Sequence, residues 1–156
     1  MAEISFKSVG VKSDDPQFKR SIGINPLGIK TPLELGNLES GLFKMHFTTQ
    51  DQVQDNFRNL LLTNHGERLG RFGYGANLRP LATERTSGDE FDNEAMRRIR
   101  SAVEKSMPFI ELTSFESFTE PSRDGVIGRV IIRVRYSARP LGISEAAIEV
   151  VLSTIG

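Results

Sequence analysis

From Leu42 onward, apolar residues recur at intervals that change along the chain, and the intervals predict the elements. Leu42, Phe43, Met45 and Phe47 crowd a stretch suited to a short strand. Thr49 with Gln52 three places on matches a capping box. Val53, Phe57, Leu60 and Leu61 then fall at i, i+4, i+7 and i+8, which predicts one buried face of a helix over about 50–63. Asn64 and Gly66 supply the stop. Next comes GRFGYG, a compact aromatic-glycine turn whose rings of Phe72 and Tyr74 are expected against the core; Pro80 and the polar stretch to Gly88 prolong the connection. A second helix is signalled by Ser87 or Asp89 ahead of Glu90 and Asp92, acids favoured at a positive helix N-terminus. Ala95, Met96, Ile99, Ala102 and Val103 form its inward stripe, and Pro108 ends it.

The period then drops to two. Ile110 and Leu112 open a strand toward Phe118, with Phe115 and Phe118 out of parity and a bulge therefore expected. Residues 120–125 make the turn. Val130, Ile132, Val134 and Tyr136 share one face of the next strand, leaving Arg129, Ile131, Arg133 and Arg135 on the other. After a break at Ala138 to Gly142, Ile148, Val150 and Leu152 set the inward parity of a last strand. The prediction is an α+β fold: two main helices packed on a small antiparallel sheet of about three strands, with an extended N-terminal arm.

That arm, residues 1–41, holds Gly10, Gly23, Gly28, Gly36 and Gly41 with Pro16, Pro26 and Pro32, and shows no sustained period. Ile22, Ile24, Leu27, Ile29, Leu33 and Leu35 are nonetheless too many apolar side chains for a solvated linker. Either the arm packs on its own domain or on another protein, or it is an irregular, self-packed N-terminus. Residues 42–156 are read as a single domain.

Composition narrows the function classes. The 156 residues include 20 Lys plus Arg against 20 Asp plus Glu, so no overall field draws the chain to nucleic acid or to an anionic membrane. No cysteine is present, which excludes disulfides and thiolate metal sites and fits a reducing compartment. No run approaches the roughly 20 apolar residues that cross a bilayer, and the N-terminus lacks the pattern of a signal peptide, so an intracellular soluble protein is expected.

Candidate chemistry is sparse. A glycosidase would pair Glu67 with Asp89 or Glu84, one of the two with a raised pKa. Glu67 instead sits in an exposed glycine-rich turn where nothing predicts desolvation. His46 and His65 lie nineteen residues apart without a metalloprotease spacing, and read as a strand residue and part of a helix-ending turn. GRFGYG lacks the Gly-Lys-Ser/Thr ending of a phosphate loop. Arg97, Arg98, Arg100 and Lys105 read as a solvated helix face before a nucleic-acid patch. For the row Arg129, Arg133 and Arg135, cross-strand pairing with Glu111 and Glu149 comes first, acids on a partner second and DNA third. Catalytic, metal and cofactor sites are all expected to be absent.

The series QDQVQDNFRNLLLTNHGERLGRFGYGANL, then NEAMRRIRSAVEKSMPFIEL, then GRVIIRVRYSAR and a final apolar strand, resembles the phage tail baseplate wedge family. This lysozyme-related group also includes a baseplate subunit of type VI secretion systems. The resemblance covers about residues 42–155, with SIGI at 21–24 like the short N-terminal element of phage members, and LLLTNHGER with the aromatic-glycine turn is its most specific part. It implies a non-enzymatic sheath initiator in the virion tail baseplate, assembled in the host cytoplasm, whose sheet is completed by strands of the tail sheath protein. Other baseplate wedge proteins are implied partners, with tail tube or hub proteins as further candidates; nucleic acid and membrane are not. The implied sheath-binding residues, on edge strands, are Arg129, Ile131, Arg133, Arg135, Ile148, Val150 and Leu152. Wedge docking falls to Met107, Pro108 and Phe109, where the family commonly has Glu-Pro-Arg, and to Glu67 and Arg68 in a corner expected to carry an internal hydrogen bond. The departure at 107–109 and the Gly/Pro-rich arm favour a phage over the type VI branch. A peptidoglycan-cleaving, lysozyme-like enzyme remains the alternative of a different class.

Overall fold

Each periodic stretch forms an element, and two short elements appear where no period was long enough to read. The structure, a computed structural model, describes residues 26–36, 42–83, 88–121 and 127–153. In chain order the elements are β1 (Gly28–Ile29), β2 (Met45–His46), α1 (Thr49–Leu62), α2 (Leu78–Thr83), α3 (Gly88–Ser106), β3 (Glu111–Pro121), β4 (Ile127–Ala138), a 3-10 turn (Arg139–Leu141) and β5 (Ile143–Ser153). The architecture is α+β, with two main helices and two antiparallel sheets of two and three strands. The chain divides into two compact units, Met1–Asp55 and Asn56–Gly156, the division falling within α1.

In the first unit, β1 pairs with β2 in the register Gly28↔His46 and Ile29↔Met45, and Leu35 bridges Phe43. This ribbon joins residues on both sides of position 41; most of the remaining arm, including Ile22 and Ile24, lies outside the described residues. Glu34 accepts from Lys30 at 2.9 Å and Lys44 at 2.7 Å. Those two bonds lower its carboxyl pKa to about 2. A Cβ at Gly28 would stand 1.9 Å from the Gln52 amide oxygen, so the end of that flexible side chain would have to move to admit one. Leu27, Ile29, Leu33 and Leu35 are exposed among the described residues.

The cap of α1 sits one residue earlier than expected. Thr48 Oγ1 accepts from the Asp51 amide at 3.2 Å and donates to the Asp51 carboxylate, so the pair is Thr48 with Asp51, in place of Thr49 with Gln52. Val53, Phe57, Leu60 and Leu61 are buried as their spacing requires, while Leu62 is exposed.

In the second unit, α3 buries Phe91, Ala95, Ile99, Ala102 and Val103. Met96 lies at the margin of that stripe and is 37% exposed, a correction to the expected inward position. The three-stranded sheet has the order β3-β4-β5, antiparallel throughout. Val130, Ile132, Val134 and Tyr136 of β4 lie beside Ile148, Val150 and Leu152 of β5 on the inner face, all buried. The edge of the Tyr136 ring meets Phe57, centroids 4.9 Å apart at 75°, a geometry favoured by the ring quadrupoles. Among the described residues the Tyr136 hydroxyl has no hydrogen-bond partner, and burial raises its pKa. The expected bulge is present, a register shift between Leu112 and Ser114; most of the turn at 120–125 lies outside the described residues.

The helix α2 was not anticipated. Leu78, Leu81 and Ala82 are buried at i, i+3 and i+4. Pro80 is tolerated because it falls in the first turn, where a missing N–H breaks no helical bond.

Candidate functional site

Two places concentrate what the sequence singled out: the corner after α1, and the sheet. The corner begins where Thr63 bonds back to the Asn59 carbonyl through its amide and hydroxyl, at 3.1 and 2.5 Å. The Glu67 carboxylate then grips Asn64 twice, accepting from its main-chain N–H at 2.8 Å and its side-chain amide at 2.7 Å. Those two bonds, with the more distant Arg79 charge, hold the Glu67 carboxyl below the usual carboxylate range. A glycosidase acid needs the reverse. Its proposed partner Glu84 lies outside the described residues, as does the side chain of Asp89.

The rest of the corner is bonded to itself as closely. Gly66 N–H donates to the Phe72 carbonyl at 2.8 Å, His65 Nε2 to the Gly75 carbonyl at 3.2 Å, and Arg98 of α3 to the Asn77 carbonyl at 2.8 Å. Ala76 and Asn77 donate to the carbonyls of Leu60 and Thr63. At Gly75 the chain runs against α1: φ is +104°, and a Cβ would stand 2.1 Å from the Thr63 carbonyl oxygen. Only glycine fits there. The Arg68 guanidinium lies 4.2 Å from the centroid of the Tyr74 ring, a cation–π contact. The internal bond expected of Glu67 or Arg68 therefore exists at Glu67, while Arg68 holds the loop by stacking. The rings behave unequally, since Tyr74 is half-buried but Phe72 is 67% exposed and does not tuck against the core.

On the sheet's outer face the arginine row is largely self-paired. Arg133 reaches Glu149 of β5 at 3.0 Å and Glu116 of β3 at 4.0 Å, and Arg135 reaches Glu145 at 3.9 Å. Exposed pairs of this kind contribute about 0–1 kcal/mol each. Glu149 thus plays its expected part; Glu111 does not, since it stands opposite Ser137 and 3.7 Å from Arg139. Between the charges runs an apolar row in register, Phe118, Ile131 and Val151, of which Phe118 and Val151 are exposed.

Placement of the implied docking residues differs from expectation. Arg129, Ile131, Arg133 and Arg135 belong to the central strand β4, hydrogen-bonded on both sides, so they lie on a face and not on an edge. The edges are β3 and β5. Ile148, Val150 and Leu152 are on an edge strand, β5, but their side chains are buried, leaving only their backbone for a neighbour. The outward side chains of β5 are Glu145, Ala147, Glu149 and Val151. Of the 107–109 trio, Met107 is buried where its N–H closes the last turn of α3 on Val103; Pro108 is exposed and Phe109 half-buried. Glu67 and Arg68 are exposed in the corner.

One polar cluster had no signal in the sequence. In the first unit, His46 Nε2 donates to Asp55 Oδ2 at 2.6 Å, and the Thr31 N–H donates to the same oxygen at 2.7 Å. Asp55 lies about 200° around α1 from Val53, where helical spacing predicts solvent, yet it is 7% exposed. Burial works to raise its pKa; the bonds from His46 and Thr31 outweigh that, and the net shift is downward. Among the described residues, no group of three or more His, Cys, Asp or Glu could hold a metal ion, and no helix is long and apolar enough to cross a membrane.

Neither a protein-family model nor a curated protein sequence matches the chain. Solved structures do resemble it. A crystal structure from Geobacter sulfurreducens, of a protein given the provisional name of tail lysozyme, matches at a TM-score of 0.56 and 19% identity, over 70% of this chain and 94% of that one. The cryo-EM structure of the anti-feeding prophage baseplate matches at a TM-score of 0.49 and 18% identity, over 81% of this chain and 85% of that one, a level at which the likeness carries no argument. The first similarity establishes a shared fold, and at 19% identity nothing of activity.

Proposed function

We propose that this chain is a structural, non-catalytic subunit of a contractile-tail baseplate, and that it initiates the sheath by accepting a strand of the sheath protein along β5. One observation carries the reading: among the described residues β5 is paired on one side only. An unpaired edge is a template for another chain, and an added strand gains main-chain hydrogen bonds. The two edges are not equivalent. β3 is interrupted by register shifts at Leu112/Ser114 and Glu120/Pro121, and bulges and prolines blunt an edge. β5 pairs with β4 without a break from Ser153 to Ala146, and contains neither proline nor glycine.

Further support comes from the resemblance of LLLTNHGER and the aromatic-glycine turn to the baseplate wedge family, and from a fold shared with a protein provisionally called a tail lysozyme. The lowered pKa of Glu67 does not suit the acid of a glycosidase pair. A photo-crosslinking residue placed at Ala147 or Val151, both exposed on β5, tests the reading in assembling tails. Sheath protein should be captured at these positions and not at Thr119 of β3. Capture through β3 alone, or no sheath product at all, would refute it.

A further inference from the structure

The corner and α3 enclose a cleft of about 370 Å³, separate from the sheet. His65 and Asn77 line it from the corner, Arg97, Arg98, Ser101 and Lys105 from the helix, and no acidic side chain is among its lining residues. Glu94, beside it, binds Arg97 through Nε and Nη2 and Arg98 through Nε, each bond 2.7 Å. One carboxylate therefore faces two guanidinium groups. Arg98 also serves the fold, through its bond to the Asn77 carbonyl. Lys105 carries three donors and makes one long contact, 3.4 Å to the Gly73 carbonyl. The cleft is thus left with positive charge and with donors to spare on exposed Lys105 and 70%-exposed Arg97. Near it in the chain are the corner's two most exposed apolar side chains, Leu69 at 97% and Phe72 at 67%, the latter adjacent to the cleft residue Gly73. Neither is buried by the described residues.

We propose that this cleft takes an acidic side chain of a partner polypeptide, an Asp or Glu seated between Arg97 and Lys105 with a neighbouring apolar residue of the partner on Phe72. Carboxylates suit guanidinium and ammonium donors through charge-assisted bonds. A protein fits better than a nucleic acid. The whole chain carries no net charge to attract a phosphate backbone, and Glu90, Glu94 and Glu104 are interspersed among the cations of α3. The inference stands on the cleft alone and does not depend on strand addition at β5.

The test uses the full chain, isotope-labelled for NMR, titrated with a capped pentapeptide Glu-Glu-Phe-Glu-Glu, with its Gln-Gln-Phe-Gln-Gln counterpart, and with a 12-nucleotide single-stranded oligonucleotide. The acidic peptide should shift the amides of Gly73, Ala76, Ser101 and Lys105 and bind about tenfold more tightly than the amide version, as one charge-assisted contact allows. Arg97→Gln with Lys105→Gln should remove that advantage, and Arg139→Gln, an exposed cation outside the cleft, should leave it unchanged. Equal binding of the two peptides, shifts confined to other surfaces, or tighter oligonucleotide binding through these same residues would overturn the proposal. The comparison of the two peptides on the unsubstituted chain needs no variant to fold.

Discussion

The corner at residues 63–79 and the strand β5 lie in the same compact unit and treat their polar groups in opposite ways. In the corner, carbonyls and amides find partners within the chain: Asn64 with Glu67, Gly66 with Phe72, Gly75 with His65, Asn77 with Arg98 and with Thr63. Along β5, one side of the backbone is bonded to β4 and, among the described residues, no strand pairs with the other. Residues 65–73 are exposed, so each bond there contributes only about 0.5–1.5 kcal/mol; the corner is fixed by the number of these bonds and by Gly75 lying against the Thr63 carbonyl. An edge that leaves its bonds unmade to solvent loses little until another strand arrives. The first arrangement builds a scaffold. The second leaves an edge that strand addition would require.

Substitutions should separate the two regions sharply. Gly75→Ala forces an L-residue to φ +104° with its Cβ against the Thr63 carbonyl, and should destabilise the chain by about 3 kcal/mol or more, read as a shift of the denaturation midpoint. A loss below about 1 kcal/mol would mean that the corner gives way and is not the rigid element described.

The polar cluster of the first unit follows the corner's pattern, so Asp55→Asn should cost about 3 kcal/mol at neutral pH. Its pH dependence has a definite sign. The folded pKa of Asp55 is lowered, so its contribution is complete above the unfolded value, at about pH 5 and higher, and is lost as pH falls through the folded value. Melting curves of Asp55→Asn and the unsubstituted chain should converge in acid. A difference that persisted below about pH 2 would show the bonds to His46 and Thr31 to be incidental.

Tyr136→Phe sharpens the contrast from the side of the core. Removing a buried hydroxyl that lacks a partner among the described residues should leave stability unchanged or raise it by about 1 kcal/mol, measured by thermal melting. A clear loss would reveal a bond to that hydroxyl. Val151→Lys should have the smallest effect on folding, within about 0.5 kcal/mol, while abolishing sheath uptake in an assembly assay if β5 is the docking strand. Normal uptake would count against that edge.

How legible each part was follows from its period. The inner faces of β4 and β5, and the stripe Val53, Phe57, Leu60 and Leu61, were readable because burial on one face imposes a two- or four-residue rhythm over a long element. The six residues of α2 are too few for a rhythm, and Pro80 signals a break as readily as a first turn. Of the two-residue strands, β2 falls within the stretch 42–47 expected as a strand, whereas β1 carries no such signal. Met96 was misplaced because spacing puts a residue near a face, but neighbouring elements decide whether that face is covered. Asp55 shows the converse, a residue off the apolar stripe that is buried all the same, between His46 and the Thr31 amide. Within the corner, Glu67 and Arg68 could be seen as a pair of interest, whereas Gly75 pressed against Thr63 and Arg98 reaching the Asn77 carbonyl depend on contacts distant in sequence.

The account rests on the outer side of β5, and a cryo-EM map of the assembled tail tests it most directly. The map should show a strand of the sheath protein running beside Ile143–Ser153, joined to it by main-chain hydrogen bonds. If instead that side of β5 is covered by residues of this same chain, or faces solvent in the finished particle, strand addition is not what this protein does.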